Sequence, residues 1–333
     1  MNIVIKGAET FFPENIVKNS FFTGSGKSED NPMFRGTSER RHCSRDDMGW
    51  DFLVNASRKI FDRFGIKPSE IDLFLANSAM LDIPFTGAGA AWAHKAGAVP
   101  RHVYDIHSSG CTSFVFMLEL AGILMKSRNI RYALIGNVQT SAGKIFAHPQ
   151  NIDKPQSVVP GDGCGVALLE ASENIGENCG LLLESATRCH GEFAEDMNIE
   201  KPDGAYWWEP SENMGIIEFS KSRIFKIISR GNSSVPDRIR EVCEINGKKI
   251  SDIDFLITNQ PNPVFLRNWR EYTELPEEKM YHSFDKYGNL FGAAMPVNLS
   301  EALEKKLIKK GDLLCIAGFS HAGDYSSAAL IQY

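Results

Sequence analysis

A few short stretches carry the side chains able to do chemistry. "DIHSSGCTSF" (Asp105 to Phe114) sets Cys111 between a strand-like "HVYDI" and a long apolar stretch that reads as a helix. A thiol at a helix N-terminus meets the positive end of the helix dipole, which favours the nucleophilic thiolate. Ser108, Ser109 and Gly110 leave room for a substrate to approach. The competing reading is an inert core thiol, the usual state of a buried cysteine. Three more stretches lie after apolar runs or in glycine-rich turns: "TNQPNP" with Asn259, "DKYGNLFGAA" with Asn289, and "AGFSHAGDYSS" with His321 and Ala322. Polar side chains can project from sheet edges into a site there. Turn-forming asparagines and a solvated loop histidine are the bland alternatives.

The elements that must position these residues form an internal echo. "GIKPSEIDLFLANS" (Gly65 to Ser78) returns as "GKKISDIDFLITNQ" (Gly247 to Gln260), with Asn259 standing 182 residues after Asn77. "LELAGILMKSRNIRYALIG" pairs with "LSEALEKKLIKKGDLLCIA", and "GDGCGVALLE" with "GDYSSAALIQ", in the same order. In each half, apolar runs of strand length alternate with amphipathic helical stretches. One is "WDFLVNASRKIFDRFG", where Phe52, Leu53, Ala56, Ile60 and Phe61 form one stripe ended by Gly65. The pattern predicts mostly parallel sheets covered by helices, in two packed halves, residues 1–170 and 171–333, with a site where their strand ends meet.

Composition limits the functions. The 333 residues are 43% hydrophobic and 23% charged, with a net charge of −6. That balance argues against a nucleic-acid surface. No apolar run is expected to approach the ~20 residues of a membrane span. Seven cysteines without metal-type spacing suit reduced thiols in a cytoplasm, with no metal site.

Taken together, the motifs resemble the thiolase superfamily, and within it the β-ketoacyl-acyl-carrier-protein synthase III group. "GTSERRHC" (Gly36 to Cys43) is similar to the group's TGI-x-ER-R stretch, and "DIHSSGCTSF" to its nucleophile segment. "VPGDGCGVALLE", "NQPN" and "FDKYGNLFGAA" are similar to its GDGAGA, HQAN and D-[RK]-[YH]-GN-T motifs. The resemblance implies an α/β thiolase fold: a duplicated, five-layered αβαβα structure with pseudo-twofold symmetry. It implies that Cys111 accepts an acyl group, with an oxyanion hole from its own N–H and the loop near Ala322. It implies no bound cofactor, with acyl-coenzyme A or an acyl-phosphopantetheine carrier protein as the substrate. A homodimer is implied, with Ile83 reaching across to close the partner's acyl pocket. Arg35 and Lys154 are the candidates for holding the donor at the tunnel mouth.

Two departures shift the expected chemistry. Asn259 stands where the group has the HQAN histidine, and an amide cannot act as a base near neutral pH. His321 lies on the C-terminal glycine-rich loop, where it would replace that base from another direction, with Asp324 near it more suited to a turn. The expectation is acyl transfer through Cys111 to a hydroxyl, amine or thiol, as in acyltransferases of secondary metabolism, with a small-molecule acceptor. The alternatives are carbon–carbon condensation by an altered synthase, or a weakly catalytic partner subunit in a heteromeric enzyme. "WWEPSE" (Trp207 to Glu212) has no counterpart and reads as a lid or substrate-facing insertion.

Overall fold

A computed structural model describes residues 1–23, 34–107, 109–197, 199–217, 221–320 and 322–333. The echo in the sequence becomes a repeat in space. In the first half, β1 (Asn2–Phe11), β2 (Leu73–Ser78), β3 (His102–Asp105), β4 (Tyr132–Gln139) and β5 (Gly163–Ser172) lie in the order β1-β5-β4-β2-β3. In the second, β6 (Gly180–Cys189), β7 (Phe255–Thr258), β8 (Met280–Tyr281), β9 (Leu313–Ser320) and β10 (Tyr325–Gln332) lie in the order β6-β10-β9-β7-β8. Strand directions repeat as well: β5 runs antiparallel to β1 and β4, and β10 to β6 and β9, while the inner strands pair in parallel. The two sheets join edge to edge where Val4 faces Leu181 and Ile5 faces Gly180.

Helices complete the layers. α1 (Gly49–Phe64) and α2 (Gly89–Ala96) cover the outer face of the first sheet. The stripe Phe52, Leu53, Ala56, Ile60 and Phe61 is buried, and Gly65 ends α1 in the left-handed region (φ 63°), its N–H bonded to the Phe61 carbonyl. α4 (Lys221–Ile245) and α5 (Pro263–Tyr272) cover the second sheet. Between the sheets lie α3 (Ser113–Arg128) and α6 (Ala294–Glu304), whose Phe114, Leu118, Met125, Met295 and Leu299 pack with residues of both sheets. The result is the five-layered thiolase arrangement. A helix with sheets on two sides must be apolar nearly all round. That explains why Gly110–Arg128 is long and apolar enough to cross a membrane, contrary to the expectation that no run would qualify: it is a central core helix.

Candidate active site

Cys111 sits at the β3–α3 junction, in a single 3₁₀ turn (Gly110–Thr112) that leads into α3. Two consecutive residues, Ser109 (φ 70°) and Gly110 (φ 37°), adopt left-handed backbone, so the chain turns sharply just before the thiol. Strain of this kind persists only where the surroundings fix it, and it gathers at functional sites. The fixings are visible. Thr112 N–H donates to the Ser109 carbonyl (2.8 Å), and Asn77 Nδ2 donates to the Ile106 carbonyl (2.7 Å). The hydroxyls of Thr112 and Ser327 are hydrogen-bonded, tying the Cys111 turn to β10 of the other half. Cys111 itself is buried.

The second half contributes the loop that carries Asn289. Gln260 Nε2 holds the Gly288 carbonyl (2.6 Å), and Gly288 turns with φ 65° and ψ −152°, a conformation restricted to glycine. Asn289 N–H then donates to the Val159 carbonyl (2.9 Å), and its own carbonyl accepts from Gly161 N–H (3.1 Å). Its Oδ1 accepts from Phe291 N–H (2.9 Å). The loop closes on the residues flanking Cys111 at Gly292: a Cβ there would lie 3.0 Å from the Gly110 carbonyl and 2.9 Å from Ser113 Oγ. The structure therefore packs the loop that follows Asn289 against the turn that holds Cys111.

Asn259 is differently occupied. Its Nδ2 donates to the Phe319 carbonyl (3.0 Å) and its Oδ1 accepts from Phe319 N–H (3.3 Å). The amide extends the β7–β9 ladder by one side-chain rung. Gly318 makes the approach possible, since a Cβ there would fall 2.4 Å from Asn259 Oδ1.

With that geometry in place, the likeness to known proteins is informative. Residues 104–191 match the profile of 3-oxoacyl-[acyl-carrier-protein (ACP)] synthase III, and residues 243–333 match the profile of its C-terminal part. The chain belongs to this family. A β-ketoacyl-[acyl-carrier-protein] synthase III of Clostridium perfringens is 28% identical over 338 residues, covering 99% of both chains. That of Clostridium novyi is 25% identical over 335 residues, covering 100% of this chain and 99% of the other. The crystal structure of 3-oxoacyl-[acyl-carrier-protein] synthase III from Aquifex aeolicus superposes with a TM-score of 0.85 at 22% identity, covering 99% of this chain and 100% of that one.

Within this synthase III framework, the motifs of the first half are largely structural. Asp162 is fully buried and accepts N–H bonds from Cys43 (2.9 Å), Ala142 (2.8 Å) and Gly143 (2.8 Å). Burial raises its pKa to about 6, against the opposing pull of those donors. Arg40 is fully buried over the Phe22 ring and bonded to Asn19 Oδ1 (2.8 Å); burial lowers its pKa to about 10. Ala322 is buried, and its carbonyl accepts from Arg230 Nη1 (3.2 Å), a guanidinium also paired with Asp196 and lying over the Phe193 ring. Asp324 accepts from Ser320 Oγ across the turn (2.8 Å). His321 lies outside the described residues.

The rim residues separate. Arg35 is exposed on a turn whose Gly36 packs against Pro263 of α5. Lys154 lines a cleft of about 570 Å³ with Gln150, Asn151, Lys201 and Met214. Gln150 bonds the Met214 N–H (2.6 Å) and the Glu212 carbonyl (2.9 Å), so the Trp207–Glu212 insertion is anchored beside this cleft. Ile83 is half exposed, whereas Phe85, two residues on, is 97% exposed with φ 77°. Asp82 caps α1 through Gly49 and Trp50, and Asp105 caps α2 through Ala88 and Gly89, which pins both ends of the turn carrying Phe85. Sequence reading passed over Phe85; its signal was the aromatic between Pro84 and Gly87.

Proposed function

We propose that the protein transfers an acyl group from a coenzyme A or carrier-protein thioester through Cys111 to a hydroxyl, amine or thiol. The thiol of Cys111 attacks the thioester carbonyl, the pantetheine thiol leaves with the proton, and the acyl-cysteine then meets the acceptor. Asn289 Nδ2 donates to a carbonyl oxygen in the site. The observation that carries the choice of acceptor is the pairing of Asn259 with Phe319, which puts a backbone clamp in place of a base. A base for the acceptor then comes from elsewhere, and His321 is our candidate. Cytoplasmic location and a homodimer, with the Asp82–Gly87 turn entering the partner's acyl pocket, complete the proposal. The support for that turn is the full exposure of Phe85 on a firmly held loop.

Carbon–carbon condensation is the second reading, supported by the names of the relatives and by the donor at Asn289. Intact-mass spectrometry separates the two. The acyl-enzyme is formed with a panel of acyl thioesters and then offered malonyl-carrier protein or hydroxyl, amine and thiol acceptors. Unloading onto a heteroatom without carbon dioxide supports acyl transfer. Unloading only by malonyl, with carbon dioxide released, would establish condensation instead.

A further inference from the structure

The end of β4 carries polar groups, one of them bonded to Ser113 at the start of α3, where a core strand would carry apolar ones. Its residues alternate: Tyr132, Leu134 and Val138 face the outer helices, while Ala133 and Ile135 join the central cluster around α3. By the two-residue period of a strand, Asn137 and Gln139 continue the central column. Both are fully buried. Asn137 Nδ2 donates to Ser113 Oγ (2.8 Å), two residues beyond the nucleophile, and Gln139 Nε2 donates to Ser141 Oγ (2.6 Å). Their other ends are orphans. Asn137 Oδ1, Gln139 Oε1 and the hydroxyl of Ser109, also fully buried, have no hydrogen-bond partner among the described residues. Turning either amide over only exchanges an orphan oxygen for an orphan NH2. Buried polar groups are normally paired, so orphans on the strand face beside the nucleophile's turn point to bonds completed by a ligand.

We infer that the acyl group carried by Cys111 bears a hydroxyl, which donates to the carbonyl oxygen of Asn137 or of Gln139. The orphans include no carboxylate to pair an ammonium, and a buried unpaired charge is far costlier than a hydroxyl. The inference rests on the acyl-Cys111 reading above and names its substrate class: hydroxyacyl thioesters. Loading leaves the hydroxyl untouched. The Sγ–carbonyl bond forms, the bond to the pantetheine sulfur breaks, and that sulfur departs as the thiol.

The test uses S-acyl pantetheine thioesters, which present the arm shared by both donor types, in pairs where hydroxyl replaces methyl: lactyl with isobutyryl, 3-hydroxybutyryl with isovaleryl, 4-hydroxybutyryl with pentanoyl. Loading of Cys111 is followed by intact mass under limiting thioester. We expect the hydroxyl member of at least one pair to load roughly 10- to 100-fold faster, because the apolar member strands the buried oxygens. Gln139→Met should erase or reverse that preference, and Asn137→Leu is the companion variant. Equal or faster loading of the methyl member in every pair would overturn the inference, as expected if those oxygens merely hold water. So would a preference unchanged in both variants. If nothing in the panel loads, while iodoacetamide still alkylates Cys111, the acyl-enzyme reading itself falls and takes this one with it.

Discussion

Asn77 and Asn259 occupy equivalent places in the two halves, one at the end of β2 and the other just past β7. Each uses its amide on backbone, but on different parts of it. Asn77 steadies Ile106, in the loop that leads to Cys111, and Asn259 steadies Phe319, near the end of β9. The duplicated frame therefore keeps the same residue for the same kind of work. The halves diverge one strand later. After β3 the chain makes the strained Ser109–Gly110 turn and presents a thiol; after β8 it makes the Gly288 turn and presents an amide. On the proposed mechanism, reactivity lies in the turn after the third strand of each half, and Asn77 and Asn259 are part of the frame.

That division can be broken experimentally. The largest effect is expected for Cys111→Ala, which should abolish the added acyl mass altogether; residual loading at another cysteine would move the nucleophile elsewhere. Next comes Asn289→Ala, which should slow turnover about 100-fold, the usual worth of an oxyanion donor, while lowering the urea midpoint only by the one bond lost from Phe291 N–H. A loss of stability with unchanged turnover would make it another frame residue.

The halves also differ in what they bury. The first half encloses His42, whose pKa burial lowers to about 4, with the Arg40 charge adding to the shift. The unfolded chain takes up a proton near the ordinary 6.5, so this histidine stabilises the fold above pH 6.5 and ceases to as pH falls toward 4. The contribution lost between pH 7 and pH 5 is about 2 kcal/mol. Asp162, raised to about 6, acts in the opposite sense, since its stability cost grows as pH rises from about 4 to 6. His42→Phe isolates the first effect: its urea midpoint should fall less than wild type between pH 7 and 5. Parallel losses in both proteins would exclude His42 as the source.

The smallest effects sharpen the asparagine pair. Asn259→Ala should cost about 1–2 kcal/mol of stability, as Phe319 loses two bonds, with loading rate preserved. Asn77→Ala should cost a similar amount but slow loading as well. Interchanged outcomes would mean the two amides have each other's roles.

Much of this was legible in the sequence because it rests on local pattern. The repeated "IDLFLANS" and "IDFLITNQ" give strands ending in asparagine, and a cysteine between strand and helix announces itself. The Asn259 clamp was not legible, since it depends on Gly318 approaching from a strand 60 residues away in the chain. Nor were Asn137 and Gln139. "RYALIGN" read as a plain core strand, and whether a buried amide is paired depends on partners from elsewhere in the fold. Phe85 escaped for a related reason: only the caps made by Asp82 and Asp105 show that its turn is held outward.

The seam between the sheets has a consequence for the chain's order. Val4, Leu181 and Gln332 lie side by side on adjacent strands, which places the start of β1 about 10 Å from the end of β10. The stretch linking β5 to β6 is exposed from Glu173 to Asn178. A short peptide joining Tyr333 to Met1, with new ends opened between Glu173 and Asn178, would give a circular permutant in which the half bearing Asn289 is synthesised first and the half bearing Cys111 second. Every strand neighbour would be retained, so the order in which the ribosome delivers the two halves is separable from the architecture they build.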